Sequence, residues 1–300
     1  MENYYNYRFY EQKEVERAAW ITYRHRICFF RKVNPAKYKH LVDDKVQASQ
    51  FMAEFIKRDF FPLSDISELD DAVDWILQRD EVVVKPRFGM DGKGVRFIKS
   101  SLGRDALRQF LKDSLQTGAQ TIEELIEQHP QMSALHADSV NTLRIQTVLH
   151  NDEVHILGAV LRIGNGSRID NMVSGGLAAA VDIASGKVMS AGYFMDITKG
   201  SSLTEHPITG IRIPGFEIPF WQETLDFVRQ MATRLHMLKA LGWDIAISSK
   251  GPVLVEYNRI WGTTTFQVPY KKGRLQELAP FMDPNCLYPV QRKHLSGLKK

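Results

Sequence analysis

Hydrophobic positions along this chain follow two rhythms. Leu143-Arg144-Ile145-Gln146-Thr147-Val148-Leu149 alternates with period two, whereas Trp221, Leu225, Val228, Ala232 and Leu235 fall on one helical stripe. The pattern predicts helices over 10–31, stopped by Asn34-Pro35, over 44–58 with Val46, Phe51, Phe55 and Ile56 on one side, and from Asp65 to about 78. A strand over 81–85 leads through a glycine-rich loop to a second strand at Phe97-Ile98, followed by a helix over 102–115. Strands are predicted over 121–126, 143–149 and 155–161, the last two joined by a turn at Asn151-Asp152. Further strands fall at 177–182 and 188–194, and a Gly/Pro-punctuated stretch fills 196–217. A helix over 219–241 precedes a hairpin of 244–248 and 252–257. Strands and helices mix without a regular βαβ alternation, so the fold class is α+β rather than a doubly wound sheet.

Composition narrows the function classes. The 300 residues are 44% hydrophobic and 25% charged, which supports an ordinary packed core. No apolar run approaches the roughly 20 residues that span a bilayer. The start Met1-Glu2-Asn3-Tyr4-Tyr5 lacks a basic region followed by an apolar one, so no secretory signal is read. A formal charge of +4 falls short of a nucleic-acid footprint and suits an enzyme handling anionic small molecules. Two distant cysteines, Cys28 and Cys286, without a CxxC pair, argue against a disulfide framework or a zinc site and point to a reducing cytoplasm. One basic stretch, Arg24-His25-Arg26 with Arg31-Lys32, carries aromatic neighbours. Peripheral contact with an anionic membrane is one reading of it; a solvated basic face over an aromatic core is the more ordinary one.

The chemistry gathers at two places. Val82-Val83-Val84-Lys85-Pro86 runs into Arg87-Phe88-Gly89-Met90-Asp91-Gly92-Lys93-Gly94. This loop lies between two strands and opens no helix, and no Ser or Thr follows Lys93, so it is neither a Rossmann fingerprint nor a P-loop. A glycine-rich hairpin can instead fold over phosphates and offer backbone N–H groups at close range. Lys85 ends the strand where an ammonium could meet an α- or β-phosphate. Far downstream, Asp244, Glu256 and Asn258 are oxygen donors on two adjacent strands, with Glu256 and Asn258 on one face. Hard magnesium prefers such donors and shares its other positions with phosphate and water. Each half also has a plain reading, as a flexible hairpin and as a solvent-facing acidic strand. His129 and His206, each beside a proline, read more readily as turn or packing residues than as catalysts.

Taken in order, Asp44-Lys45, Lys85-Pro86, the glycine loop, Glu123-Glu124-Leu125-Ile126-Glu127 and Asp244…Glu256-x-Asn258 resemble the ATP-grasp enzymes. More specifically, Gln128-His129-Pro130, Ser139-Val140-Asn141-Thr142-Leu143-Arg144, Asp170-Asn171 through Gly175-Gly176, His206-Pro207-x-Thr209-Gly210 and Gly242-Trp243-Asp244 resemble the sugar-transfer-associated ATP-grasp family, over roughly 40–275. The resemblance implies two α+β subdomains clasping ATP, a small one at 81–130 with the flap and a large one at 131–300 with magnesium. The mostly helical region at 1–80 is read from the residue pattern and departs from the family, which has an alternating βαβ lobe there. It implies that Lys85 holds phosphate, that Gly92, Lys93 and Gly94 form the flap, and that Glu124 and Leu125 offer backbone groups to adenine with Glu127 near the ribose. Asp244, Glu256 and Asn258 would hold Mg2+, Arg144 would stabilise the transferring phosphoryl group, and Arg162 and Asn171 would lie near the acceptor or γ-phosphate. The implied activity is an ATP-dependent ligase joining a carboxylate to an amine through an acylphosphate, in bacterial surface polysaccharide or related biosynthesis, with small or sugar-linked substrates. A kinase acting on a hydroxyl, and a nucleotide-binding module without chemistry, are the alternatives.

Overall fold

The computed structural model describes residues 9–89, 92–170, 175–194, 202–289 and 291–292. The chain divides into two compact units, one of residues 39–127 and one of 1–38 with 128–300. This differs from the boundaries at 80 and 130 read from sequence. Residues 60–63 form a strand that the sequence reading overlooked, β1 (Phe60–Leu63), and it pairs with β4 (Gln120–Glu124) inside the smaller unit. Ile21, Phe29 and Phe30, ahead of residue 39, pack instead with the C-terminal segments.

The smaller unit is a four-stranded sheet in the order β1-β4-β2-β3, where β2 is Glu81–Pro86 and β3 is Arg96–Lys99. Two helices, Leu69–Leu77 and Arg104–Leu115, supply its core. The first presents Leu69, Ala72, Val73 and Ile76, all fully buried, at the spacing of one helical face. Asp65 and Glu68 close a capping box at the turn that leads into it. These side chains join Val82, Val84, Ile98, Leu107, Leu111 and Ile122 in one cluster. Burying each of the Leu, Val and Ile side chains contributes about 1.5–3 kcal/mol. The helix expected over 44–58 is two shorter ones, Lys45–Phe51 and Ala53–Ile56, with Met52 between them.

The larger unit is built on an antiparallel six-stranded sheet in the order β10-β9-β5-β6-β7-β8. Its strands are β5 (Leu143–His150), β6 (Glu153–Ile163), β7 (Leu177–Val181), β8 (Tyr193–Phe194), β9 (Ala240–Ser248) and β10 (Gly251–Asn258). The β5–β6 turn puts Asn151 and Asp152 at φ of 50° and 62°, the left-handed pair that a two-residue hairpin requires. The helix Trp221–Arg234 buries the predicted stripe of Trp221, Leu225, Val228 and Ala232, with Leu235 at its C-cap. It ends seven residues earlier than expected, because Ala240 and Leu241 already belong to β9. The strand expected over 188–194 is reduced to Tyr193–Phe194, with Val188 bridging singly to Val181.

A second core in this unit joins the two ends of the chain. Ile21, Phe29 and Phe30 pack with Trp261, Phe266, Leu275, Leu278 and Leu287. The predicted 10–31 helix is broken here into Glu14–Ala18 and Tyr23–Val33. Arg26 of the basic stretch donates to the carbonyls of Ile260 and Trp261, and His25 is fully buried, so part of that stretch is internal. The packing also overturns the expectation for the cysteines: Cys28 and Cys286 form a disulfide, with Cα atoms 5.7 Å apart across 258 residues of sequence. Neither spacing nor motif could signal a bond that the meeting of the two ends creates, and the case for a reducing compartment loses its support. Among the described residues no helix is long and apolar enough to cross a membrane.

Reduction is therefore expected to destabilise the larger unit. A loop this long places the expected loss at about 2–5 kcal/mol. Thermal unfolding with and without a thiol reductant, and of Cys28→Ser, should show matching downward shifts. An unchanged midpoint would mean that the bond is dispensable.

Candidate functional site

In the smaller unit the site residues are held by buried ion pairs. Lys85 leaves the end of β2 with its Nζ 2.6 Å from Glu123 Oε1, while Arg58 reaches Glu123 Oε2 at 2.8 Å. The Lys85 contact is one of charge rather than a well-directed hydrogen bond, since Oε1 has no partner by angle. Burial alone would raise the Glu123 pKa, but Lys85 and Arg58 outweigh it and lower the carboxyl from 4.5 to about 2. Glu123 thus fixes the lysine, a role the sequence reading passed over although it quoted the residue. The only signal was an acidic residue at a buried strand position.

The loop after β2 is anchored at its base. Arg87 clamps Asp44 through Nε and Nη2, both at 2.7 Å, and Asp44 also caps the helix Lys45–Phe51 through the amides of Val46 and Gln47. Burial raises the Asp44 pKa, yet the Arg87 and Gln47 hydrogen bonds bring it down to about 2. Lys45 Nζ donates to the Gly89 carbonyl at 2.9 Å. The tip residues Gly92, Lys93 and Gly94 are exposed, and Met90 and Asp91 lie outside the described residues. Gly94 has φ of +78°, and a Cβ there would meet the Pro86 ring at 2.8 Å, so the turn needs glycine. Strand β4 stops at Glu124, two residues before its expected end. The Glu124 side chain is occupied by Arg79 at 2.9 Å and the Asp59 amide at 3.0 Å, while Leu125 and Glu127 are exposed.

In the larger unit cross-strand pairing assembles the rest. Glu256 opposes Asp244, Asp244 opposes Arg144, Arg144 opposes Val160, and Val160 opposes Ala180. Paired residues of an antiparallel sheet share a face, so these five form one row across β10, β9, β5, β6 and β7. Asp244 is fully buried and accepts from both Nε and Nη2 of Arg144, the second bond at 2.8 Å, and lies 3.1 Å from Arg162. Burial pushes its pKa up, but the two guanidinium groups win and lower it. Arg162 is fixed by Thr142 Oγ1 at 2.9 Å and by Asp170 at 3.5 Å. Burial works against its charge, yet Asp170, Asp244 and Glu256 together raise its pKa. Asp170 accepts from both the amide and the hydroxyl of Thr142, and its pKa is raised because burial dominates. Thr142 and Asp170 had been noted only as parts of motifs. Asn171 lies outside the described residues.

Asp244, Glu256 and Asn258 offer two carboxylates at paired positions and an amide two residues further along β10. Two facing carboxylates fit a hard divalent cation. An Asp244 oxygen that accepts from an arginine keeps a second lone pair, so its ion pairs are compatible with ligation. The Asn258 Nδ2 is buried without a hydrogen-bond partner. Among the described residues no group of three or more His, Cys, Asp or Glu could hold a metal ion, and this set is two acids and an amide.

The remaining motifs are scaffolding. Asn141 donates to the carbonyls of Met132 and His136 and accepts from the Gly164 amide. His206 Nε2 lies 2.8 Å from the Gly164 carbonyl, so that nitrogen carries the proton. His136 accepts from the Gly166 amide at Nε2, which leaves Nδ1–H to donate to Ser139 Oγ at 2.8 Å. That tautomer prevents His136 from acting as a base toward Ser139. His129 caps the helix Pro130–Leu135. All three histidines position loops, as the plainer reading of His129 and His206 held.

Two consequences can be measured. Glu123 has a folded pKa below its ordinary 4.5, so its stabilisation is fully present above about 4.5 and is lost as pH falls toward about 2. Glu123→Gln should flatten acid unfolding over that window. At neutral pH the same change strands Lys85 and Arg58 and should cost about 3–5 kcal/mol in chemical denaturation.

Comparisons with known proteins accord with the motifs. The sequence profile of sugar-transfer associated ATP-grasp proteins matches residues 24–282. No curated protein matches. Among solved structures, D-alanyl-alanine synthetase A from Vibrio cholerae is 12% identical, with a TM-score of 0.49 over 85% of this chain and 66% of that one. D-cycloserine synthetase is 14% identical, with a TM-score of 0.46 over 89% and 73% of the two chains. An L-amino acid ligase from Bacillus licheniformis is 12% identical, with a TM-score of 0.45 over 76% and 42%. This chain spans less than two thirds of the first of these and under half of the last. The profile match covers most of the chain, and its two mixed α+β units carry the family's motifs in order: the chain belongs to the sugar-transfer associated ATP-grasp family.

Proposed function

We propose that this chain is an ATP-dependent ligase that joins a carboxylate to an amine, releasing ADP and phosphate. The observation that carries the reading is the row Glu256–Asp244–Arg144 with Arg162 beside it. It places oxygen donors for a cation next to two fixed guanidinium groups on one sheet face. Such an arrangement suits a transferring phosphoryl group, where little covalent chemistry falls to the protein and charge must be matched.

Lys85 would pair with the ATP phosphates, its ammonium directed by Glu123. Gly92, Lys93 and Gly94 would cover the phosphates with backbone amides. Glu124 and Leu125 would meet adenine through their backbone, Glu127 the ribose, and Asn171 the γ-phosphate or acceptor. Asp244, Glu256 and Asn258 would hold Mg2+, which would neutralise β- and γ-phosphate charge. Arg144 and Arg162 would bind the γ-phosphoryl oxygens and the incoming carboxylate. A carboxylate oxygen attacks the γ-phosphorus, the bond to the β-phosphate oxygen breaks, and ADP leaves. The amine then attacks the carbonyl carbon of the acylphosphate, loses a proton and expels phosphate to leave the amide. Family membership favours small or sugar-linked substrates of surface polysaccharide or related biosynthesis. This last step is analogy rather than site chemistry.

The test is release of ADP and phosphate from MgATP with pooled uronic and amino acids, with and without pooled amines. Turnover that requires both acid and amine supports the ligase, whereas a stable phosphorylated alcohol would make it a kinase. Glu256→Gln and Arg144→Met should each lower kcat by about 100-fold or more, the usual scale for losing one charge-stabilising group. Lys85→Met should act mainly on KM for ATP. Unchanged turnover in Glu256→Gln would refute the assignment.

A further inference from the structure

The row that begins at Glu256 has a far end. Past Arg144 it crosses Val160 and reaches Ala180 on β7. There it opens into a cavity of about 270 Å³ lined by Ala180, Met189, Ser190, Tyr193, Tyr270 and Lys271, among others. Two strand spacings of about 4.8 Å separate Arg144 from Ala180, so roughly 10 Å of sheet connects the two. Val160 between them is fully buried with Tyr270 packed against it, so the cavity is a site apart from Arg144.

The sequence of β7, Leu177-Ala178-Ala179-Ala180-Val181, keeps the floor low. Ala178 opposes Arg162 on one side and Tyr193 on the other, so it and Tyr193 share the face of the arginine. The wall is rigid. Tyr270 Oη lies 2.8 Å from the Ala159 carbonyl and 3.1 Å from that of Val181, and the Arg274 guanidinium lies 3.9 Å from its ring centroid. Ser190 Oγ accepts from the Ala180 amide at 2.9 Å and fixes the rim. Such order is present before any ligand arrives and lowers the cost of binding one.

The lining is selective in charge. Among the described residues, the lining carries no carboxylate and one cation, Lys271. It is exposed, stands at φ of +54°, and holds its ammonium 5.6 Å from the centre of the Tyr193 ring. That backbone is the left-handed cap that ends the short turn Val268–Tyr270. Tyr193 is 8% exposed, and its hydroxyl is buried without a hydrogen-bond partner.

We propose that this cavity is a binding subsite for a small organic anion, a carboxylate or phosphate carried on a sugar-sized ring. Lys271 meets the anionic group, and Tyr193 and Tyr270 flank the ring.

Glucuronate, inorganic phosphate and neutral glucose serve as probes, titrated into the full-length protein and followed by calorimetry. Glucuronate should bind saturably and glucose far more weakly. Lys271→Met should weaken glucuronate by about tenfold or more, as expected on losing a charged partner. Ala180→Leu, which fills the floor, should abolish binding while circular dichroism shows the fold retained. Competition by phosphate would identify the anion alone as the recognised group, and its failure to compete would assign recognition to the carboxylate on its ring. Equal glucuronate affinity in wild type, Lys271→Met and Ala180→Leu, or no binding of either anion to wild type, would overturn the proposal. ATP is titrated in parallel. Glucuronate binding without ATP binding would sink the ligase reading and leave the subsite standing, and ATP binding without either anion would do the reverse.

Discussion

The larger unit turns on one buried carboxylate. Asp244 sits fully inside the sheet with Arg144 and Arg162 against it, and Asp170 stands behind Arg162. Charges taken out of water are costly, and only close, well-directed partners repay the cost. Two arginines and two buried aspartates balance, and the exposed Glu256 adds one further negative charge at the edge of the group. Removing any one member would leave another stranded. The strands that carry these residues are thereby tied in register, because a slip of one position would turn every charge to the opposite, apolar face.

The smaller unit repeats the device on a smaller scale. Glu123 lies under Lys85 and Arg58 as Asp244 lies under its arginines, and in both cases burial opposes the charge while paired cations outweigh it. The cations are therefore placed before any phosphate arrives. A preset field spares the reaction the cost of rearranging water and side chains around a developing charge. On the proposed reading this is why Lys85, Arg144, Arg162, Asp244 and Glu256 stand on strands rather than on loops.

Much of this was legible in the chain. Period-two alternation located β5, and the stripe from Trp221 to Ala232 located the long helix, because both patterns are set by a single dry face. Strand β1, Phe60–Leu63, escaped notice because its four residues include a proline and only Leu63 is fully buried. The end of the long helix was misplaced because Leu238, Ala240 and Leu241 are apolar for the sake of the next strand. Of the site, the residues expected to touch nucleotide and metal were visible as motifs. Their supports, Glu123, Asp170 and Thr142, stand in the same motifs, but their roles were not legible, since a buried acid has no local signature and its partners lie on other elements. The Cys28–Cys286 bond failed to register for the same reason.

The most direct test of the central claim is the binding of Mn2+, a spin-active stand-in for Mg2+, followed by electron paramagnetic resonance with and without ADP. The account predicts that the wild-type protein sequesters Mn2+ more tightly with ADP present than the nucleotide alone does, and that Asp244→Asn and Glu256→Gln lose this excess while keeping their fold. Mn2+ sequestered equally by wild type and both variants would contradict the placement of the cation at this row and, with it, the chemistry drawn from it.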